Sequence, residues 1–274
     1  MRHCNRYNAS MTLLHSPARI AAALPTAVPG LTIDAVAETG STNADLLARL
    51  DHLHGPVLLV ADQQTAGRGR AGRTWHSERG ASLTFSLAWP VRVPLQALVG
   101  LPLAIGVALA EVLAEQGIAV QLKWPNDVLA DGSKLAGILI ETAVDRQPAA
   151  RLWAVIGIGI NLTDNAMLAA RIGQPVAALP DADAIDRDLL LAALLARLCL
   201  TLQEFEEYGF AVFAARWNAL HLHRGQPVSI IDRGQTLFEG IAVGVDAQGR
   251  LLLDTAQGRR TVVAGDVSLR AVKG

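Results

Sequence analysis

The pattern of apolar residues changes character near Leu222. Before it, Arg187 to Tyr208 and Ala211 to Leu220 carry leucine and alanine at helical spacing. After it come four short β-like runs: Pro227 to Ile231, Thr236 to Val245, Arg250 to Asp254 and Arg260 to Val263. Turns such as Asp246-Ala247-Gln248-Gly249 and Ala256-Gln257-Gly258 separate them. Short strands at such even spacing, divided by turn residues, mark a small barrel. The chain therefore divides into an α/β unit over residues 31–221 and a small β-barrel over 222–274. Residues 1–30 hold Pro17, Pro25 and Pro29 and are expected to be a poorly ordered extension.

The first unit alternates strands with helices. Leu31 to Val36 reads as a strand, and Thr42 with Asp45 three residues later reads as a capping box opening a helix. Val57 to Ala61 is a buried strand, Gly67 to Gly80 a Gly/Arg loop, and Ala81 to Trp89 an alternating strand. Leu98 to Gln116 is a helix. Ala119 to Trp124 is a strand, and Val128 to Ala130 starts another, broken by a turn at Asp131-Gly132 and continued from Lys134 to Ala143. Trp153 to Leu162 is a further β-rich run. The apolar stretch Val93 to Ala110 approaches the length of a membrane span, but Pro94, Gln96, Gly100, Pro102 and Gly106 interrupt it, so it is expected to be a buried helix.

Charge and cysteine content narrow the function classes. The 24 basic residues nearly cancel the 25 acidic ones, leaving −1, which excludes binding of nucleic acid through bulk charge. Cys4 and Cys199 are too few for a disulfide framework or a zinc site, so a reducing, cytoplasmic setting is expected. No secretory signal or membrane segment is read, and no metal-ligating cluster of side chains. Only three basic residues are lysines: Lys123, Lys134 and Lys273. A lysine kept where arginine serves elsewhere suits a narrow site that needs a compact point charge.

Four segments carry chemistry. Gln64-Thr65-Ala66-Gly67-Arg68-Gly69-Arg70-Ala71-Gly72-Arg73 combines glycines, which let backbone wrap an anion, with arginines that bind phosphate through paired hydrogen bonds. Ala61 to Gly80 holds four Arg and two acids, a local +2. Gly67 to Gly72 also matches G-x-G-x-x-G, but no helical period follows, so a dinucleotide turn is disfavoured. The arginines repel and the glycines hold nothing, so the loop is expected to move freely without a ligand. Lys123-Trp124-Pro125-Asn126-Asp127 and Lys134-Leu135-Ala136-Gly137 form the second segment. There Lys134 opens an apolar strand, where a ligand anion would partner its charge, and Gly137 leaves room for close approach. Gly157-Ile158-Gly159-Ile160-Asn161 alternates glycine with isoleucine and could floor a pocket. Gly40-Ser41-Thr42-Asn43 offers free N–H groups and hydroxyls at a helix start.

Together these segments resemble the biotin protein ligases, from about Leu31 to the C-terminus. The resemblance implies a mixed-sheet α/β catalytic domain of the biotin/lipoate ligase type with a C-terminal SH3-like barrel. It implies two steps: biotin and MgATP give biotinyl-5′-AMP and pyrophosphate, then a lysine of a biotin carboxyl carrier protein takes the biotin. By that resemblance, Ser41, Thr42, Asn43 and Gln64 hold biotin's polar head, and Arg68, Gly69 and Arg70 close over biotin and the adenylate. Lys134, with Gly137 beside it, bridges carboxylate and α-phosphate. Arg70, Arg73, Trp75, Lys123, Asn126 and Asn161 lie on the nucleotide side. Lys134, Arg70 and Asp127 are the catalytic set, Asp127 serving either Mg²⁺ or the acceptor lysine. ATP, Mg²⁺ and biotin are the expected small molecules, with a homodimer as a further expectation. Some members carry an N-terminal DNA-binding domain. Only 30 residues precede the first strand here, so no DNA-directed role is expected. The alternatives are a lipoate or octanoate ligase of the same fold, and a biotin-sensing binder without turnover.

Overall fold

The structure is a computed structural model and describes residues 13–163, 169, 175–232, 234–264 and 268–271. A seven-stranded mixed sheet runs in the order β1-β2-β3-β7-β6-β5-β4. Its strands are β1 (Thr32–Thr39), β2 (Val57–Gln64), β3 (Ser82–Val91), β4 (Gln121–Lys123), β5 (Asp127–Ala130), β6 (Ser133–Val144) and β7 (Leu152–Asn161). Only β1 and β2 pair in parallel, and α2 (Thr42–Ala48) lies in the crossover between them. The β5–β6 hairpin turns on Asp131 and Gly132, both at positive φ (48° and 73°), the backbone that a two-residue hairpin demands.

Residue parity along the sheet decides where the core ends and an open site begins. On β7 the even residues Ala154, Ile156, Ile158 and Ile160 enter the main core. That core also holds α3 (Leu101–Glu115) and α4 (Arg187–Tyr208). The odd residues run Trp153, Val155, Gly157, Gly159, Asn161. The first two pack beneath α2 with Leu46, Leu59 and Ala88. The glycines beyond them add no side chain, so the packed face becomes a trough. The apolar stretch before and within α3, Leu95–Glu115, is long and apolar enough to cross a membrane by composition, but is mostly buried inside the protein. A helix apolar on all sides fits that position.

Three expectations change. Ser41, not Thr42, caps α2: its Oγ accepts from Ala44 N at 3.5 Å, while Asp45 accepts a hydrogen bond from the Thr39 hydroxyl. Residues 13–30 are not a loose extension. Ser16 caps α1 (Pro17–Ala22), and Ile20 is fully buried in the main core. Pro17 sits in the first helical turn, where its missing N–H costs nothing. Two buried carboxylates anchor the segment: Asp62 accepts from Leu14 N, and Asp188 from Ser16 N and the His15 ring. Residues 1–12, including Cys4, lie outside the described residues. The last segment adds a strand that the periodicity does not reveal.

That segment forms a five-stranded antiparallel sheet, β11-β10-β9-β8-β12. Its strands are β8 (Pro227–Asp232), β9 (Gln235–Val245), β10 (Leu251–Thr255), β11 (Gly258–Val262) and the added β12 (Ser268–Ala271). Its apolar residues join the same core cluster as the larger sheet. Leu222 N donates to Leu122 O at 3.0 Å, and Trp124 Nε1 to Gly249 O at 3.4 Å. Asn218, in α5 (Ala211–Ala219), bonds Val245 through both its amide groups.

His221 and His223 are buried in this seam, 5% and 6% exposed. The His221 ring lies 4.6 Å from that of Trp217. Neither His221 nitrogen, nor His223 Nδ1, has a hydrogen-bond partner among the described residues. Burial pushes both imidazoles down from 6.5 to about 4. Between those values the unfolded chain binds more protons than the folded one, so stability falls as pH falls through that window. Asp145 acts elsewhere. Hydrogen bonds from Trp153 and Arg151 hold it at about 2, so its contribution is lost only as pH drops below 3.8. The urea midpoint should therefore fall between about pH 7 and about pH 4.5, and the fall should shrink in His221→Phe. An equal fall in that variant would place the acid lability elsewhere.

Candidate active site

The trough opens into a cavity of about 350 Å³ bounded by α2, the Gly/Arg loop, β5, β6, β7 and one residue of β12. Among the described residues five cations line it, Arg68, Arg70, Arg73, Lys134 and Arg270, against a single carboxylate, Asp127. Such a lining favours a polyanion.

One end is a buried polar network. Gln64 Oε1 accepts from Thr42 N at 2.8 Å and from Thr42 Oγ1 at 3.1 Å. Thr42 Oγ1 meets Ser86 Oγ at 2.6 Å, and Ser86 donates to Asn43 Oδ1 at 2.6 Å. Asn43 Nδ2 donates to Glu141 Oε2 at 2.8 Å. Thr42 and Asn43 lie in the first turn of α2, so the helix start aims them at the sheet. Asn43 has room only because residue 157 is glycine. A Cβ there would stand 2.4 Å from Asn43 Oδ1. This network can present both donors and acceptors to a compact polar group.

The middle is walled by Trp75, whose indole lies against the bare backbone of β6 and β7. A Cβ on Gly159 would come within 2.3 Å of its ring, and one on Gly137 within 3.2 Å. Trp75 Nε1 is buried without a hydrogen-bond partner among the described residues. Trp75 lies between the polar network and Lys134, whose Nζ is 5.9 Å from its ring centroid.

The other end is charged. Lys134 Nζ pairs with Asp127 Oδ1 at 2.6 Å, both groups about one-fifth exposed. The partner that Lys134 needs at the head of its strand is therefore built into the neighbouring β5. Lys134 is held in place through its carbonyl, which accepts from Asn161 Nδ2 at 3.1 Å and Ala177 N at 2.9 Å. Asn126 bonds β6 through Ile138 O (2.7 Å) and offers Oδ1 to Arg70 Nη1 at 3.1 Å. Lys123 is the exception among the expected residues: it does not line the cavity. It pairs in register with Asp127 across β4 and β5. Burial lowers its pKa, Asp127 opposes that, and Arg270, Lys134 and Arg73 add to it. The remaining lysine, Lys273, lies outside the described residues.

The Gly/Arg loop folds back on itself. Trp75 N donates to Gly67 O at 2.9 Å and Gly69 N to Arg73 O at 2.7 Å, closing a tip at Arg70–Gly72. The tip needs positive φ at Ala71 (53°) and Gly72 (70°), uncommon for the alanine. Its arginines do not simply repel. Arg68 pairs with Glu141 at 2.8 Å, Arg70 with Asn126, and Arg73 Nε donates to Arg70 O at 3.3 Å. Sequence reasoning passed over Ser86, Glu141 and Arg270. The first two look like ordinary strand residues. Arg270 arrives from the far end of the chain, 200 residues beyond Arg70 by number, on a strand not foreseen.

Gly159→Ala tests the floor. The methyl group must push the indole from its seat, at a cost of about 1–3 kcal/mol. Trp75 is the one tryptophan that is not buried, so tryptophan emission should shift to the red. An unchanged spectrum in a folded variant would contradict the packing described.

The comparisons agree with this architecture. Residues 35–161 match the biotin/lipoate A/B protein ligase family, and residues 223–270 the biotin protein ligase C-terminal domain. The bifunctional ligase/repressor BirA of Escherichia coli is 38% identical over 235 residues, covering 85% of this chain and 72% of BirA. A biotin–[acetyl-CoA-carboxylase] ligase of Mycobacterium tuberculosis is 40% identical over 253 residues, covering 86% and 88% of the two chains. Among solved structures, the Aquifex aeolicus biotin protein ligase in complex with biotin and ATP superposes with a TM-score of 0.73 at 29% identity, covering 89% of this chain and all of that one. With strands, loop and helix start converging on one cation-lined trough, and with relatives of this identity over most of its length, the chain belongs to the biotin protein ligase family.

Proposed function

We infer that the chain is a biotin–[biotin carboxyl carrier protein] ligase. It joins biotin to ATP as biotinyl-5′-AMP with release of pyrophosphate, then transfers biotin to a lysine of the carrier. The observation that carries this reading is the pairing, in one trough, of a polar amide and hydroxyl network with a five-cation lining. In the first step a carboxylate oxygen attacks the α-phosphorus and pyrophosphate leaves. Two anions must be brought together, so the barrier falls most where fixed cations face the developing charge. In this reading Ser41, Thr42, Asn43 and Gln64 bind biotin's ureido head, Ser41 through the helix start that it caps. Trp75, Gly137 and Gly159 confine the chain between head and carboxylate. Lys134 gives up Asp127 to bridge carboxylate and α-phosphate, with Arg68, Gly69 and Arg70 above it. Arg70, Arg73, Asn126, Asn161 and Arg270 serve the nucleotide, and Lys123 acts from beside Asp127 by its charge.

Mg²⁺ travels with ATP and, when bound, offsets the charge of the phosphates. Among the described residues no three His, Cys, Asp or Glu cluster together. One cavity carboxylate, Asp127, fits an ion that keeps most of its ligands from phosphate and water. In the second step the acceptor amine must arrive uncharged and attack the acyl carbon, AMP leaving. Asp127, freed as Lys134 turns to the ligand, is the one carboxylate placed to take its proton.

The same proposal extends to organisation and setting. Residues 31–221 form the catalytic part, 222–274 the accessory part that contributes Arg270, and the described residues 13–30 a strap against the core. The chain acts in the cytoplasm, pairs with a second copy, and has no DNA-directed role, in keeping with its net charge of −1.

ATP–pyrophosphate exchange, with biotin, lipoate or octanoate supplied one at a time, tests the reading. Biotin should support exchange and the other two acids should not. Exchange driven by lipoate or octanoate instead, or none from folded protein, would overturn it.

A further inference from the structure

Glu141 stands at the rim of the trough, on the site face of β6, opposite Val155 of β7. One of its oxygens, Oε2, accepts two hydrogen bonds, from Asn43 Nδ2 at 2.8 Å and from Arg68 Nη2 at 2.8 Å. The two donors come from different parts of the site. Asn43 belongs to the polar network, and Arg68 to the stem of the Gly/Arg loop that follows β2. In the sheet β2 and β6 are separated by β3 and β7. Arg68 thus reaches across two strands to meet Glu141, over the trough that Gly157 and Gly159 floor.

We propose that Glu141 is a positioning residue, a latch that holds the Gly/Arg loop across the mouth of the trough and ties that closure to Asn43. The proposal rests on the ligase reading and adds a residue to it. Arg68 is 41% exposed and Glu141 29%, so the pair is strong enough to bias the loop and weak enough to open for each ligand. Water and salt reach it, so ionic strength tunes the opening. Asn43 Nδ2 shares the oxygen that holds Arg68. A ligand that engages Asn43 therefore acts on the latch directly, linking occupancy of the head pocket to the loop.

Glu141→Gln separates the two contacts. Its amide oxygen can still accept from Asn43, while the charge that holds Arg68 is gone. The probe is biotin methyl ester, an uncharged ligand that the cavity's cations neither steer nor release on screening. Stopped-flow kinetics should show association and dissociation of the ester both faster by about threefold in Glu141→Gln, with Kd little changed. Raising the salt from about 0.05 to about 0.5 M should speed both rates in the wild-type protein and leave the variant nearly flat. In an Arg68→Ala background Glu141→Gln should add nothing. A merely structural Glu141 would change stability without accelerating entry. Wild-type rates in Glu141→Gln, a slower association, or additive effects with Arg68→Ala would overturn the latch. If Glu141→Gln fails to fold, the wild-type salt series decides: rates indifferent to salt overturn it. Wild-type protein that shows no biotin-dependent exchange removes the ligase reading itself. Normal exchange with an inert Glu141→Gln removes only the latch.

Discussion

The ion pair between Lys134 and Asp127 is the contact on which the site turns. A lysine at the head of an apolar strand is costly unless its charge is answered. Here the answer comes from the adjacent strand, 2.6 Å away. Because the β5–β6 hairpin sets both residues, a tight Asp131-Gly132 turn fixes the position of a charge in the cavity. The pair leaves Lys134 poised rather than free. An incoming anion need only be a better partner than one carboxylate, in a wall where four further cations already favour it.

Everything around that pair follows from residue parity in the sheet. The isoleucines of β7 build the core on one side, and the glycines between them withhold side chains on the other. The space left is taken by Asn43 at Gly157 and by Trp75 at Gly159, so the same glycines set the depth of the trough and the identity of its walls. Stability and site thus share one strand. Burying Ile156, Ile158 and Ile160 holds β7 in place, and β7 in turn holds the floor. The C-terminal sheet closes the charged end through Arg270, and the shared core ties it there.

Local chemistry made much of this legible in the sequence. Helix α4 spans Arg187–Tyr208, the bounds that its run of helically spaced leucines marks in the sequence. The Asp-Gly hairpin, the Gly/Arg loop and the alternating glycines each carry their signal within a few residues. What was hidden depends on distant partners. The arginines of the loop looked self-repelling because Glu141 and Asn126, their partners, are 73 and 56 residues away from Arg68 and Arg70. The N-terminal prolines read as breakers, because the buried carboxylates that hold that segment, Asp62 and Asp188, lie far along the chain. Lys123 shares a motif with the cavity residues and stands opposite Asp127 across β4 and β5, which puts both on one face of the sheet, yet it does not line the cavity. Strand β12, only four residues long, is too short for its periodicity to be read.

The central claim is that Lys134 leaves Asp127 to hold the reacting anions. Single-turnover formation of biotinyl-5′-AMP by Lys134→Ala, compared with the wild-type protein, tests it most directly. The account predicts a rate lower by about 10²–10³, the scale of losing one group aimed at developing charge, with thermal unfolding close to that of the wild-type protein. Adenylate formed at the wild-type rate by the folded variant would contradict it.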